Sequence, residues 1–320
     1  MQKKKRKVNE KAIVLITLAI VAVLLAVAAW YLLSRQNAAS TEDTGMLPAV
    51  ALEIPTSETM PVETQADLLP DTLSDELDTV LADAGGTWAV YVEALETGEI
   101  LRKGDCSGKM IAASIVKIFA MATVYDLAER GELKMTDSLE RNVYNMIVVS
   151  DNASTNSVLE TLGNGSAEAG MRVVKDYAVS IGCEASEFNR RMGVENGLEN
   201  YISADDCAVL LRMIYDGTCV NAERSAHMMD LLLENIYADF IPAGVPEDVK
   251  VAHKGGDLDT RCRGDVGIVF LDGNPYIVCI IANKVPNAGD ACRKIPVVSE
   301  TIWNAMSSVA VPAADAEPSN

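Results

Sequence analysis

Histidine is nearly absent from this chain, with only His227 and His253 among 320 residues. Protein zinc centres rely on histidine and cysteine ligands. The seven cysteines do not replace the missing histidines, because none of them form a CxxC pair or a Cys/His metal spacing. We therefore predict neither a metal ion nor a cofactor.

Positive charge is also scarce once the N-terminal segment is set aside. Seven of the 27 basic residues and one of the 46 acidic residues lie within residues 1–35, which leaves residues 36–320 with 20 basic and 45 acidic side chains, a net charge of −25. Such a surface repels nucleic-acid phosphates. We expect no nucleic-acid partner.

Charge is missing altogether from residues 12–33, an apolar run of 22 residues that is long enough to span a bilayer. Six basic residues precede it within residues 1–11, whereas only Arg35 follows closely. We predict a single-pass anchor in the cell membrane, with a cytoplasmic N-terminus and an extracytoplasmic remainder. Two alternatives are a nuclear import signal at residues 3–7 and a cleavable signal peptide with a site at residues 26–28, although the apolar run is longer than the usual core of a signal peptide.

Composition separates a domain from two flanking segments. Residues 34–66 are rich in threonine, serine, glutamate and proline, which predicts a disordered linker. A similar tail occupies residues 309–320. Residues 67–308 between them are the predicted domain, and they contain no internal repeat.

Hydrophobic periodicity and turn residues divide this domain into three parts. An amphipathic helix over 68–84 precedes a hairpin with strands at 88–95 and 100–103. Helices follow at 114–130, 139–149, 153–162, 173–181, 204–215 and 222–235. Strands return at 250–254, 264–271 and 276–283, before a final helix at about 292–306. Strands from both ends must then share one antiparallel sheet, which predicts an α+β fold with terminal helices on the sheet and a helical insertion.

The start of the 114–130 helix carries the first chemical signal. Ser114 and Lys117 are three residues apart and project from one helix face. A serine hydroxyl needs a base to become nucleophilic, and a buried lysine with a lowered pKa can be that base. The free amides of a helix N-terminus also favour the charge of an oxyanion. A capping serine followed by a solvent-directed lysine is the structural alternative.

Two further motifs contain residues that could act together with Ser114 and Lys117. Ser150-Asp151-Asn152 joins two helices: we expect Ser150 to pass a proton to a leaving nitrogen and Asn152 to bind lysine and substrate, with Asn156 holding the turn. Lys254 is followed by Gly255 and Gly256, which let a ligand approach the strand closely. We expect Lys254 to receive a substrate carboxylate and the amides of Ser114 and Asp257 to form an oxyanion hole. A capping turn and a surface lysine before a turn are the alternatives.

Together, Ser-x-x-Lys, Ser-Asp-Asn and His-Lys-Gly-Gly resemble the three signatures of the penicillin-recognising serine enzymes, especially class A β-lactamases. The similarity covers roughly residues 66–307. It implies a five-stranded antiparallel sheet beside an all-helical region. It also implies Ser114, Lys117, Ser150, Asn152 and Lys254 as catalytic residues, with 255–257 binding substrate.

The chain departs from this pattern at three places. Gly255 replaces the usual hydroxyl residue after the lysine, and the stretch between the first two motifs is short. Met192 stands where the family's pattern places the glutamate that activates the deacylating water. Glu187, Glu195 and Glu199 lie nearby, and exposed carboxylates on an acidic loop are the simpler interpretation of all three.

Three other residues have structural interpretations. His253 is adjacent to Lys254 in a strand, so their side chains point to opposite faces, which argues against a Ser/His/Asp triad. His227 is predicted to lie on a helix surface. Cys262 and Cys292 fall at the open end of one predicted hairpin and are our candidate disulfide, if their Cα atoms lie within about 7 Å.

The combined prediction is a membrane-anchored serine hydrolase that forms an acyl-enzyme through Ser114. Its partner would be a β-lactam or a peptidoglycan peptide ending in D-alanyl-D-alanine, and the missing glutamate predicts slow turnover of β-lactams. A D,D-peptidase is one alternative. A catalytically inactive relative, acting as an envelope sensor or binding module, is another.

Overall fold

The computed structural model describes residues 68–195 and 197–309. The predicted basic flank, the membrane-spanning segment at 12–33 and the linker at 34–66 lie outside these residues, as does most of the predicted tail. Within the described ranges, no helix has the length and apolar character needed to cross a bilayer.

The strands form two sheets. In chain order they are β1 (Thr87–Ala94), β2 (Ile100–Gly104), β3 (Met110–Ile111), β4 (Tyr201–Ile202), β5 (Val251–Leu258), β6 (Cys262–Val269) and β7 (Tyr276–Asn283). Five of them make an antiparallel sheet in the order β2-β1-β7-β6-β5, while β3 and β4 pair separately. The prediction that both ends of the domain share one five-stranded antiparallel sheet is confirmed. β5 lies at the edge of that sheet, with one side free of strand partners.

Eight α-helices surround the sheet in the part of the chain that the structure describes. They are α1 (Leu73–Leu81), α2 (Lys117–Glu129), α3 (Asp137–Val148), α4 (Asn152–Leu162), α5 (Ala167–Ser180), α6 (Ala204–Tyr215), α7 (Ala222–Leu233) and α8 (Ala288–Val309). The order confirms the predicted helical insertion between the two groups of strands. α8 extends to Val309, one residue into the predicted tail.

Strand alternation divides the apolar residues into two cores, one on each face of the sheet. On β7, Ile277, Cys279 and Ile281 face the helical region, whereas the alternate residues from Tyr276 to Ala282 face α1 and α8. Helix α2 lies inside the first core, and residues 117–125 are buried around its whole circumference. Helix α2 is therefore a buried central helix.

Several predicted helix starts were wrong, including those of α1, which begins at Leu73 rather than 68, and of α8, which begins at Ala288 rather than about 292. The segment predicted as one helix from Ser114 begins as a 3₁₀ turn over Ala113–Val116, and the α-helix starts only at Lys117. Helix α5 starts at Ala167, six residues before the predicted position, because the Ser166 side chain caps it by accepting from the amide of Ala169 at 3.2 Å.

The predicted disulfide between Cys262 and Cys292 is wrong. All seven cysteines are free thiols. Cys262 occupies the same alternation on β6 as Val266 and Ile268, which face the helical region, whereas Cys292 belongs to α8 on the opposite face. The sequence brings both residues to one end of a hairpin but does not reveal that they lie on opposite faces of the sheet.

Candidate active site

Ser114 lies in the 3₁₀ turn that precedes α2. The residue before it, Ala113, has a φ of 46°, a left-handed conformation that costs a non-glycine residue roughly 1–3 kcal/mol. Strand β5 packs tightly against this turn at Gly256, where an added Cβ would lie 2.9 Å from Ile115 Cγ1 and 3.0 Å from the Ala112 carbonyl oxygen. The absence of a side chain at Gly256 therefore lets the serine turn and the strand share one cleft.

Lys117 is fully buried and joins two of the predicted motifs. Its Nζ donates to the Ser150 carbonyl at 2.6 Å and to Asn152 Oδ1 at 2.9 Å, and lies 3.3 Å from Ser150 Oγ. Burial, and then the positive charge of Lys254, lower the pKa of Lys117 to about 6, against an opposing effect of Asp151. A large share of Lys117 is therefore the neutral amine at pH 7, the form that accepts a proton.

Ser150 occupies the sharp turn between α3 and α4. Its φ of 54° is left-handed, and the side chain of the next residue, Asp151, caps α4 by accepting from the Ser154 amide at 2.6 Å. The Ser150 hydroxyl accepts from Lys254 Nζ at 2.9 Å. The turn thus places one hydroxyl between the amines of Lys117 and Lys254.

Lys254 lies on the edge strand β5 and is almost fully buried. Burial lowers the pKa of Lys254 to about 8, against the raising effect of Asp265. The neighbouring His253 points to the other face of the sheet, where its Nδ1 lies 2.9 Å from Asp265 Oδ2. The predicted alternation is confirmed, and His253 does not belong to the cleft.

A cavity of about 390 Å³ contains most of the predicted residues. Ser114, Ser150 and Asn152 line it together with residues 254–257 of β5. Lys117 lies behind this surface. The structure thus brings together the eight residues that the sequence singled out.

A smaller cavity of about 100 Å³ flanks Ser114 on the side of the loop before β4. Met192 lines it, and the Asn156 side chain holds the Met192 backbone with bonds of 2.9 and 3.0 Å to its amide and carbonyl. Asn156 therefore fixes the Met192 loop rather than the Ser150 turn that we predicted. The Nδ2 of Asn200 lies 3.5 Å from the Met192 sulfur.

The three nearby glutamates differ in position. Glu187 is buried and paired with Lys109 and Lys175; burial opposes its ionisation, but the lysine hydrogen bonds outweigh it and lower the pKa of Glu187 to about 2. Glu195 is exposed and paired with Arg261. The prediction of exposed carboxylates holds only for Glu195.

Glu199 lines the smaller cavity with Ser114 and is 17 % exposed. Its two oxygens bind Arg190 at 2.9 Å and Arg261 at 2.8 Å. Two guanidinium groups thus hold the Glu199 carboxylate in place with charge-assisted hydrogen bonds.

Sequence reasoning missed one wall of the larger cavity. Tyr237, Asp239 and Phe240, from the segment between α7 and β5, line it opposite the Ser114 turn and alongside Lys254. Only the proline and glycine near this segment marked it as a loop. His227 was also misjudged, because its ring is half-buried and packs edge-on against Tyr125 at 5.4 Å.

The family model described as the β-lactamase enzyme family matches residues 72–143 and 137–306, well over half of the chain. The chain belongs to the β-lactamase enzyme family. No curated protein matches its sequence. The family assignment agrees with the resemblance to the penicillin-recognising serine hydrolases.

Solved structures share the fold of this β-lactamase family member. The β-lactamase from Sphaerobacter thermophilus DSM 20745 is 24% identical, with a TM-score of 0.65 over 75% of this chain and 98% of the other. PBP-A is 20% identical, with a TM-score of 0.67 over 75% and 99%. A leucine-to-glutamate variant of PBP-A, solved as an acyl-enzyme complex with penicillin G, is also 20% identical, with a TM-score of 0.67 over 74% and 97%.

Proposed function

We propose that this protein is a membrane-anchored, extracytoplasmic serine hydrolase that is acylated on Ser114 by β-lactams or by peptides ending in D-alanyl-D-alanine. One observation carries the proposal: the buried amine of Lys117 is bonded to Ser150, Ser150 is bonded in turn to Lys254, and Ser150 and Lys254 line the same cavity as Ser114. The solved PBP-A variant that carries penicillin G supports the substrate class.

The geometry supports a sequence of proton transfers. Neutral Lys117 accepts the proton of the Ser114 hydroxyl as Oγ attacks the substrate carbonyl, and the amides of Ser114 and Asp257 stabilise the oxyanion. As the tetrahedral intermediate collapses, Ser150 gives its proton to the leaving nitrogen. Protonated Lys117, 3.3 Å from Ser150 Oγ, returns a proton to Ser150. Lys254 holds the substrate carboxylate.

We expect slow deacylation because of the residues that line the smaller cavity beside Ser114. Met192 has no group of useful basicity, and Glu199 is held by two arginines. Among the described residues, each carboxylate that lines the smaller cavity is paired with an arginine, so we expect the acyl-enzyme to accumulate. Gly255 and Met192 also favour the alternative of an inactive envelope sensor or binding module.

Covalent labelling separates these functions. The full chain should bind a fluorescent penicillin, and mass spectrometry should place the adduct on the peptide that contains Ser114. Ser114→Ala should abolish labelling, whereas Ser157→Ala, at a half-buried position of α4 that lines neither cavity beside Ser114, should not. Absence of an adduct on the folded chain would favour the binding module, and an adduct that persists in Ser114→Ala would refute the assignment.

Membrane anchoring rests on residues 12–33 and needs its own test. We expect the chain to sediment with membranes and to resist extraction by high salt but not by detergent. Removal of residues 1–35 should release it. A mature protein that starts near residue 29 would show instead that the segment is a cleaved signal peptide.

A further inference from the structure

The segment between α7 and β5 gives the larger cavity an aromatic and acidic wall. Tyr237 is half exposed, Asp239 is exposed and Phe240 is partly buried, and all three line the cavity that also contains Lys254. An added Cβ on Gly255 would lie 3.7 Å from the Phe240 ring. This wall therefore adjoins the strand that is proposed to bind the substrate carboxylate.

Asp239 differs from the other carboxylates at this end of the cleft because it has no compensating partner. Asp257 forms an ion pair with Arg263, and Asp265 lies buried beneath Gly255 in contact with His253. Within the described part of the chain, Asp239 makes no hydrogen bond or ion pair. Its carboxylate is therefore available to a ligand that fills the cavity.

The cations in the cleft do not balance this charge. Among the residues that the structure describes, Lys254 is the one basic side chain that lines the larger cavity, and it is already bonded to Ser150 and to the Gly255 carbonyl. A ligand carboxylate bound to Lys254 would neutralise the positive charge of that lysine. A second anionic group on the ligand would meet Asp239 without a compensating cation.

The larger cavity is lined by the Asp239 carboxylate and by two aromatic side chains, a combination that favours positive charge. Tyrosine and phenylalanine rings attract cations through their negative faces, and an unpaired carboxylate adds direct Coulombic attraction. We infer that Asp239 determines specificity by selecting substrates that carry a cationic group next to the carboxylate held by Lys254. Tyr237 and Phe240 form the apolar sides of this cation subsite.

This inference rests on the proposed acylation of Ser114, and a matched pair of β-lactams tests the two separately. Cephaloridine and cephalothin share a thienylacetyl side chain, but position 3 carries a pyridinium group in the first and an acetoxy group in the second. The second-order rate of Ser114 acylation would be measured for each compound with the full chain, by competition with a fluorescent penicillin. The ratio of the two rates is the readout, because a general loss of activity cancels from it.

We expect Asp239→Asn to lower the preference for the cationic compound about threefold to fivefold, the size expected for one partly exposed ion pair. Asp239→Lys should lower it further. Asp272→Asn, an exposed acid in the turn between β6 and β7 that lines neither cavity beside Ser114, should leave the ratio unchanged. An unchanged ratio in both Asp239 variants would overturn the inference, whereas failure of both compounds to acylate Ser114 would refute the proposed function.

Discussion

The two cavities that flank Ser114 are built very differently. On one side, Lys117, Ser150 and Lys254 form a buried chain of hydrogen bonds in which two amines share one hydroxyl. On the other side, Met192 presents a thioether and Glu199 is tied to two arginines. The first arrangement suits the formation of an acyl-enzyme. In the second, each carboxylate of the described residues is paired with an arginine, so we propose that acylation proceeds faster than deacylation.

The largest effect should come from removing the base on the first side. Lys117→Met keeps the length and packing of a buried side chain but cannot accept a proton. Because a general base contributes about 10²–10⁴-fold, acylation should fall by that factor. Stopped-flow measurement with a fluorescent penicillin would give the rate, and Lys134→Met, at an exposed loop position, is the matched control. Acylation near the unaltered rate in a folded Lys117→Met variant would remove Lys117 from the mechanism.

A base introduced into the smaller cavity, at Met192, should change the rate of deacylation rather than that of acylation. The Met192 backbone is already held by Asn156, and the Asn200 amide points at its sulfur. A glutamate at this position would therefore find a fixed backbone and a donor for its carboxylate. We expect Met192→Glu to speed deacylation about a hundredfold, at the lower end of what a general base contributes.

The control for this change is Met192→Gln, which has the same shape as glutamate but no basicity. Intact-mass spectrometry would follow the decay of the penicilloyl adduct in both variants. Equal decay in the two would show that the added group acts by altering packing rather than by activating water. Rapid turnover by the unaltered protein would show that a base other than Met192 already serves.

The residues of the larger cavity could be predicted from local sequence patterns better than those of the smaller one. Ser114 and Lys117 are close in the chain, and local helical geometry alone puts them on one face. Sheet alternation likewise predicted that His253 faces away from Lys254. The pairing of Glu199 with Arg190 and Arg261 depends on how a loop folds back on itself and on the β5–β6 turn, which no local pattern encodes. The position of Asp239 depends on the path of an irregular segment between α7 and β5.

The pH dependence of acylation tests the protonation states proposed for Lys117 and Lys254. In the proposed mechanism neutral Lys117 is the base, and its pKa of about 6 predicts a rate that falls about tenfold per unit below that pH. Charged Lys254 is proposed to hold the carboxylate, and its pKa of about 8 predicts a fall above that pH. The rate should therefore be greatest between about pH 6 and pH 8.

Lys254→Met tests whether the two amines are coupled. The positive charge of Lys254 lowers the pKa of Lys117, so its removal should raise that pKa. The acid limb of the remaining activity should then move to higher pH, and the alkaline limb should disappear. An acid limb that stays in place would mean that burial alone sets the charge of Lys117.

The smallest expected effect concerns the two glycines after Lys254, which differ in the space around them. A Cβ on Gly255 would meet its nearest neighbours at 3.7 Å, an ordinary contact, whereas one on Gly256 would press on Ile115 at 2.9 Å. Gly255→Thr should therefore fold, and its hydroxyl should add one hydrogen bond to the substrate carboxylate. One such bond contributes about 0.5–1.5 kcal/mol, or roughly twofold to twelvefold in acylation rate.

Gly255→Ala supplies the Cβ without the hydroxyl and is the control, while Gly256→Ala should lower the thermal stability of the domain by pushing the Ser114 turn away from β5. The comparison also tests the role of Asp265, whose Oδ1 lies 3.7 Å from the position of the new Cβ. If the threonine hydroxyl donates to Asp265 instead of to the substrate, Gly255→Thr and Gly255→Ala will acylate at the same rate. That result would show that a hydroxyl at this position does not bind the substrate carboxylate, and that the absence of one at Gly255 does not limit acylation.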